Sequence, residues 1–403
     1  MKILMVNKFL YPRGGSESYM LSLGAQMEKA GHEVEYFGMY DEKNTVGNSM
    51  GLYTQSMDFH STGMARFLYP FKIIYSFEAE KKIGKVLDNF KPDIVHMNNI
   101  NFQLTPSIFY AVKKRNIPLV QTVHDYQMIC PNHLLYNFDK NVPCEKCVKG
   151  SHFHCLRNRC IHNSAVKSLI GIIEAKFYSL LRTYRKVDLF ICPGNFLERK
   201  LLSSKAFYKG KTHTIHNFIN KEEFSCTETG SGNYIVFVGR LSKEKGVELL
   251  TKTAKLLPKY KFVVVGNGPE EKMVSGIDNV ETKGFLTGKE LTQTMADAKI
   301  LLLPSVCYEN CPLSILEAHS MGVPVVTMNS GGMAELVEDG VTGLLAQSAK
   351  PEEVARQIEK IMEDEEFYNT LRENCKKERE NIMSVEDYSN ILVEKYSELI
   401  SQR

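Results

Sequence analysis

Two glutamates eight residues apart, Glu309 and Glu317, stand in the run Pro304-Ser305-Val306-Cys307-Tyr308-Glu309-Asn310-Cys311-Pro312-Leu313-Ser314-Ile315-Leu316-Glu317-Ala318. With Glu309 at a loop end and Glu317 about two turns into the next helix, both carboxylates are expected to face one cleft. Carboxylates accept paired hydrogen bonds from vicinal hydroxyls, so a sugar ring is a natural partner. Upstream, Gly239-Arg240-Leu241-Ser242-Lys243-Glu244-Lys245-Gly246 follows an apolar run. Arg240 and Lys245 are placed to converge on one anion, the first as a planar fork and the second as a point charge, a pairing suited to a diphosphate. Near the N-terminus, Gly14-Gly15-Ser16-Glu17 opens a helix. Its glycines let backbone approach a ligand, and the helix start offers unpaired N–H groups to a phosphate. The dinucleotide fingerprint G-x-G-x-x-G does not occur there, which disfavours a nicotinamide enzyme.

A second group of reactive side chains is the cysteine cluster Cys130, Cys144, Cys147, Cys155 and Cys160, with His133, His152, His154 and His162 among them. Cys144, Cys147, Cys155 and Cys160 could ligate a structural zinc, which would stabilise an insertion with little core. Disulfides and reduced thiols are the other two readings, and a cytoplasmic setting favours thiols over disulfides. The segment from Arg66 to Phe77 is aromatic and basic, and Lys81, Lys82 and Lys85 follow. It reads either as a peripheral membrane face or as a core helix with its lysines in water.

Positioning these residues requires a scaffold, and the sequence alternates apolar runs with amphipathic stretches. The runs KILMVNKF, HEVEYFG, PDIVHMNN, IPLVQTVHD and VDLFICPG fall in the first half. NYIVFVGR, YKFVVVGNG, KILLLPS, VPVVTMNS and TGLLAQ fall in the second. Such runs read as parallel strands covered on both faces. Met20, Leu23 and Met27 make a helical stripe that ends at Gly31, and Val247, Leu249, Leu250 and Ala254 begin another. The 403 residues exceed what one core usually holds, so two doubly wound α/β domains are expected. We place them at residues 1–192, with a cysteine-rich insertion at 128–163, and at 193–384. An amphipathic helix at 385–403 could pack back on the first domain. The net charge of +3 is too small for wholesale nucleic-acid binding, yet it is unevenly spread. Residues 1–190 hold 24 Lys and Arg against 16 Asp and Glu, and the remainder 26 against 31. Neither a signal peptide nor a long apolar span is apparent, so a cytoplasmic location is the expectation.

Taken in order, Gly14-Gly15-Ser16-Glu17, His124-Asp125, Gly239-Arg240…Lys245-Gly246, Gly266-Asn267-Gly268, Glu309-x7-Glu317 and Gly331-Gly332…Glu335 resemble the GT-B-fold retaining glycosyltransferases of family 4 (glycosyl transferases group 1). The resemblance spans residues 1 to about 347. It implies two Rossmann-like domains facing across a cleft, an N-terminal acceptor domain and a C-terminal nucleotide-sugar donor domain. It also implies roles. Arg240 and Lys245 would bind the donor diphosphate, Glu317 the ribose and Glu309 the transferred sugar. His124 would contact the sugar or donor phosphate, as a catalytic residue alongside Glu309. Gly15, Gly239, Gly266, Leu286, Asn310, Cys311 and Leu313 would line the donor pocket. No catalytic metal is expected. The activity implied is retaining transfer from a nucleotide sugar, UDP-linked ahead of GDP-linked, to a sugar or lipid-linked acceptor at the inner face of a membrane. Alternatives are a sugar-nucleotide epimerase or phosphorylase on the same fold, or a zinc-containing binding module. This chain departs from the family pattern at Asn310-Cys311-Pro312 and at the interdomain His216-Asn217-Phe218.

Overall fold

The uninterrupted Val, Ile and Leu runs fold as parallel strands with both faces covered, because alternation is not needed where both faces meet a core. The computed structural model describes residues 1–56, 72–205, 208–221, 224 and 232–403. The chain divides into two units, one of residues 1–135, 145–216 and 385–403 and one of residues 136–144 and 217–384. Arg66 to Phe71, half of the basic aromatic segment, lie outside the described residues.

In the first unit, β1 (Lys2–Val6) leads through α1 (Gly15–Lys29) to β2 (Glu33–Phe37), and α2 (Phe77–Phe90) leads to β3 (Ile94–Met97). Next come α3 (Ile108–Lys114) and β4 (Leu119–Thr122). A short antiparallel hairpin follows, β5 (Tyr136–Asn137) with β6 (Val142–Pro143), whose residues group with the second unit. The chain then runs through α4 (Ala165–Leu180), β7 (Leu189–Cys192), α5 (Asn195–Ser204) and β8 (Thr212–Thr214). The six strands are ordered β2-β1-β3-β4-β7-β8, and every pair is parallel. Ile3 to Val6 and Ile94 to Met97 are buried in the middle of this sheet.

The second unit contains β9 (Tyr234–Val238), α6 (Val247–Leu256), β10 (Lys261–Val265), β11 (Val280–Gly284), α7 (Gly288–Ala296) and β12 (Ile300–Leu303). It continues with α8 (Leu313–Ser320), β13 (Val325–Met328), β14 (Gly343–Ala346), α9 (Pro351–Glu363) and α10 (Glu365–Asn381). Its sheet is also fully parallel, ordered β11-β10-β9-β12-β13-β14. The strand order turns outward between β9 and β12, and in the first unit between β1 and β3. Those switch points, at the strands' carboxyl ends, are where such sheets open a crevice for ligands.

The terminal helix α11 (Val385–Ser401) belongs to the first unit and packs on α1. The Tyr388 and Tyr19 hydroxyls are 2.8 Å apart, and Tyr19 in turn meets Thr122 at 3.1 Å. The Tyr396 hydroxyl reaches His96 Nδ1 at 2.5 Å, and His96 Nε2 meets Thr122 at 2.7 Å. All of these side chains are buried, so the helix is pinned by a closed polar chain as well as by apolar packing.

Candidate functional site

In the second unit, the motifs follow the carboxyl ends of β9, β10, β11, β12 and β13, on either side of the switch point. Gly239 and the exposed Arg240 leave β9 directly, and Lys245 ends a short turn at Lys243–Lys245. Gly246 then takes φ of 76° before α6, and a Cβ there would run into the Pro304 carbonyl beyond β12. Only glycine meets both demands, so the two loops pack backbone against backbone. That contact brings Lys245 to Glu309, with Nζ 2.6 Å from Oε1. Ser305 Oγ donates to the same carboxylate oxygen at 2.7 Å. Burial alone would depress the Lys245 ammonium, but the adjoining Glu309 carboxylate holds it above its ordinary value.

Glu309 is also held through its backbone. Gly332 N–H donates to the Glu309 carbonyl at 2.7 Å, and a Cβ on Gly332 would strike the Asn310 carbonyl. The Gly331-Gly332 turn after β13 therefore seats the loop that carries Glu309. The side chain of Asn217 donates to the Cys311 carbonyl at 2.9 Å, fixing the next residues. Behind them Pro312 caps α8, and Leu313 is its first residue, so the helix start opens directly beside Glu309 and Asn310. Glu317 is the fifth residue of α8, about one turn in rather than two. Gly266 follows β10 and donates to the Gly284 carbonyl at 2.7 Å, and the half-buried Leu286 follows β11. Two adjacent thiols, Cys307 and Cys311, are pushed up by burial, the latter to about 12, so neither is a nucleophile at neutral pH.

In the first unit, Gly14 and Gly15 lie exposed at the start of α1, and Glu17 does not face solvent with them. The buried Glu17 carboxylate accepts from Asn7 Nδ2 at 3.1 Å and from Ser16 Oγ at 3.0 Å, tying the helix start to the end of β1. His124, just beyond β4, meets Asn98 Oδ1 through Nε2 at 3.1 Å and the edge of Tyr19 at 5.0 Å between ring centres. Burial pushes its imidazole down to about 4, so it offers a neutral hydrogen bond at neutral pH. Asp125 accepts from Asn101 and from the Gln127 backbone, which sets the loop carrying His124. Asn98 and Tyr19 belong to no motif, and Ser305 and Asn217 stand in runs quoted above without a role assigned to them. Asn98 and Ser305 could have been found only from their places just past strand ends.

Cys147, Cys155 and Cys160 share one buried cluster with Ile172, and the buried Cys130 thiol lies within electrostatic reach of Cys147 and Cys160. Cys144 groups with the second unit, at the end of the β5–β6 hairpin and just before the turn at Lys146–Lys149. Contact with Cys160 and burial raise the Cys155 thiol, and burial pushes Cys130 up to about 12. Among the described residues no three Cys, His, Asp or Glu side chains are arranged to grip a metal, and none of the described cysteines is in a disulfide.

Residues 13–223 match the model of Glycosyltransferase Family 4, and residues 218–378 match that of glycosyl transferases group 1. The chain is 25% identical over 355 residues to an uncharacterized 42.6 kDa protein in the cps region of Klebsiella pneumoniae, covering 83% of this chain and 87% of that one. Among solved structures it is similar to the sucrose-phosphate synthase of Thermosynechococcus elongatus, with a TM-score of 0.73 at 17% identity and full coverage of both chains. It is also similar to Anabaena HepE in complex with UDP-glucose, with a TM-score of 0.69 at 18% identity, covering 99% of this chain and 100% of that one.

Proposed function

From its membership of Glycosyltransferase Family 4, which makes this chain a glycosyltransferase, we propose that it moves a sugar from a nucleoside diphosphate to a saccharide or lipid-linked acceptor with retention of configuration. The observation that carries this reading is the contact between Lys245 and Glu309 at the switch point of the second sheet. One cation and one carboxylate there are matched to the two halves of a sugar nucleotide.

In this proposal the donor diphosphate draws Lys245 away from Glu309 and adds Arg240, while the start of α8 offers N–H groups to its charge. Glu309, released from Lys245, accepts from the sugar hydroxyls, and Glu317 accepts from the ribose. Charge building on the leaving diphosphate is met by the two cations and the helix start. The acceptor hydroxyl attacks from the side of the departing diphosphate, whose oxygen takes the proton, so the configuration is kept without a protein nucleophile. His124, neutral at working pH, hydrogen-bonds the sugar or donor phosphate. A uridine donor is supported by the UDP-glucose bound to the similar Anabaena protein. A role in surface polysaccharide or glycolipid synthesis at the inner face of a membrane is part of the same proposal.

The test is nucleotide release from UDP- and GDP-sugars with mixed saccharide acceptors, comparing the unaltered chain with Glu309→Ala and Arg240→Ala. Release should fall by at least about 10²-fold in both variants. Undiminished turnover in either variant contradicts its assigned role.

A further inference from the structure

The helix that follows the cysteine lobe is built inside out. In α4 the residues turned inward are Ser168, Gly171, Ile172, Glu174 and Tyr178. On the outside, Val166, Leu169, Ile173 and Leu180 are 68%, 46%, 45% and 83% exposed. Their spacings of three, four and seven residues put them on one stripe of the helix. Inward polarity is satisfied locally, since Glu174 accepts from Gln127 at 3.0 Å. Among the described residues of the unit, the outward aliphatic stripe has no such explanation. Phe153, on the short helix that packs against α4, adds a further exposed apolar side chain.

The same stretch carries the positive charge of the first half. From Lys146 to Lys186 there are nine Lys and Arg and a single acidic residue, Glu174, which faces inward. The rest of residues 1–190 holds fifteen of each sign, so the whole excess of +8 sits here. Lys167, Lys176, Arg182 and Arg185 are exposed around the aliphatic stripe. An apolar stripe bordered by cations and without exposed acids is the pattern of a surface that lies in an anionic membrane interface. A second copy of the chain would set these like charges against each other. A nucleic acid would call for cations and stacking rings on the contact face rather than leucines.

We propose that α4 docks this chain on the surface of a bilayer containing anionic lipid, with Val166, Leu169, Ile173 and Leu180 entering the interface and the bordering cations meeting lipid phosphates. The proposal names the surface for the membrane-side location suggested above, and it can fail while sugar transfer stands.

The experiment is flotation of the full chain with phosphatidylcholine vesicles, with and without phosphatidylglycerol, at low salt and at about 0.5 M, where screening shortens to a few ångströms. The chain should float with the anionic vesicles at low salt and be released at high salt. Leu169→Ser with Ile173→Ser should lower the bound fraction more than about tenfold, and Lys167→Ala or Lys176→Ala roughly fivefold each. All four positions are exposed, so thermal melting and sugar transfer in solution should stay unchanged. The proposal is overturned by failure to float at low salt, or by double-variant binding equal to that of the unaltered chain. It is equally overturned by a solution dimer that Leu169→Ser with Ile173→Ser dissociates.

Discussion

Lys245 and Glu309 hold each other at 2.6 Å, so a diphosphate that recruits Lys245 must first part the pair. The two partners should therefore respond with opposite sign. In Lys245→Met the diphosphate loses a charge-assisted hydrogen bond worth about 1.5–3 kcal/mol, which weakens Kd roughly 10- to 150-fold. In Glu309→Gln the ammonium no longer faces a carboxylate, so UDP alone should bind more tightly even as transfer falls by about 10²–10³-fold. Thermal shift reads both effects. With UDP at about 100 times the Kd of the unaltered chain, binding stabilises by about 2.7 kcal/mol, and a hundredfold loss of affinity reduces this to about 0.4 kcal/mol. For a unit the size of the second one, roughly 2–4 °C accompanies each kcal/mol. A shift of about 5–11 °C should then shrink to about 1–2 °C in Lys245→Met and grow in Glu309→Gln. A full shift in Lys245→Met refutes the diphosphate role of Lys245. Weakening of UDP by Glu309→Gln as large as that by Lys245→Met refutes the competition between carboxylate and ligand.

Three further outcomes follow from the same geometry. Gly332→Ala should force the Asn310 backbone away and move Glu309 with it. A displacement of about 1 Å is enough to cost roughly 10²-fold in kcat, so steady-state kinetics should show that loss with the protein still folded. Acidification should weaken the first unit, because burial holds His96 at about 3 and His124 at about 4, both below their value of 6.5 in the unfolded chain. Below pH 6.5 the unfolded chain takes up protons that the folded one refuses, so stability is full above that pH and lost toward pH 4. The loss is about 2 kcal/mol per histidine at pH 5, and urea midpoints that do not fall between pH 7 and 5 would contradict it. Cys160→Ser places a hydroxyl in the buried thiol cluster and should cost about 1–3 kcal/mol in urea unfolding, whereas Cys144→Ser should stay within about 0.5 kcal/mol.

The ten apolar runs were legible because both sheets are covered on both faces, so burial left an uninterrupted signature. The two strands of these sheets that escaped, β8 with THT and β11 with VETKG, lie at sheet edges where partial exposure removes that signature. Gly246 and Gly332 were visible as motif glycines, but their reason, contact with carbonyls of distant loops, is tertiary. The pairing of Lys245 with Glu309 spans 64 residues and could not be read from spacing. Glu17 looked like part of a ligand loop and proves to anchor it to Asn7. The outward stripe of α4 was hidden for a related reason. Periodicity shows that a helix has an apolar face, and only the fold shows which way that face points.

The central claim is transfer with retention from a nucleoside diphosphate sugar, and the most direct measurement is the anomeric configuration of the first product formed from an α-linked UDP-sugar. Proton NMR distinguishes the two anomers of the new glycosidic bond by the coupling of its anomeric proton. The account predicts an α product that disappears in Arg240→Ala and Glu309→Ala. A β product would contradict it.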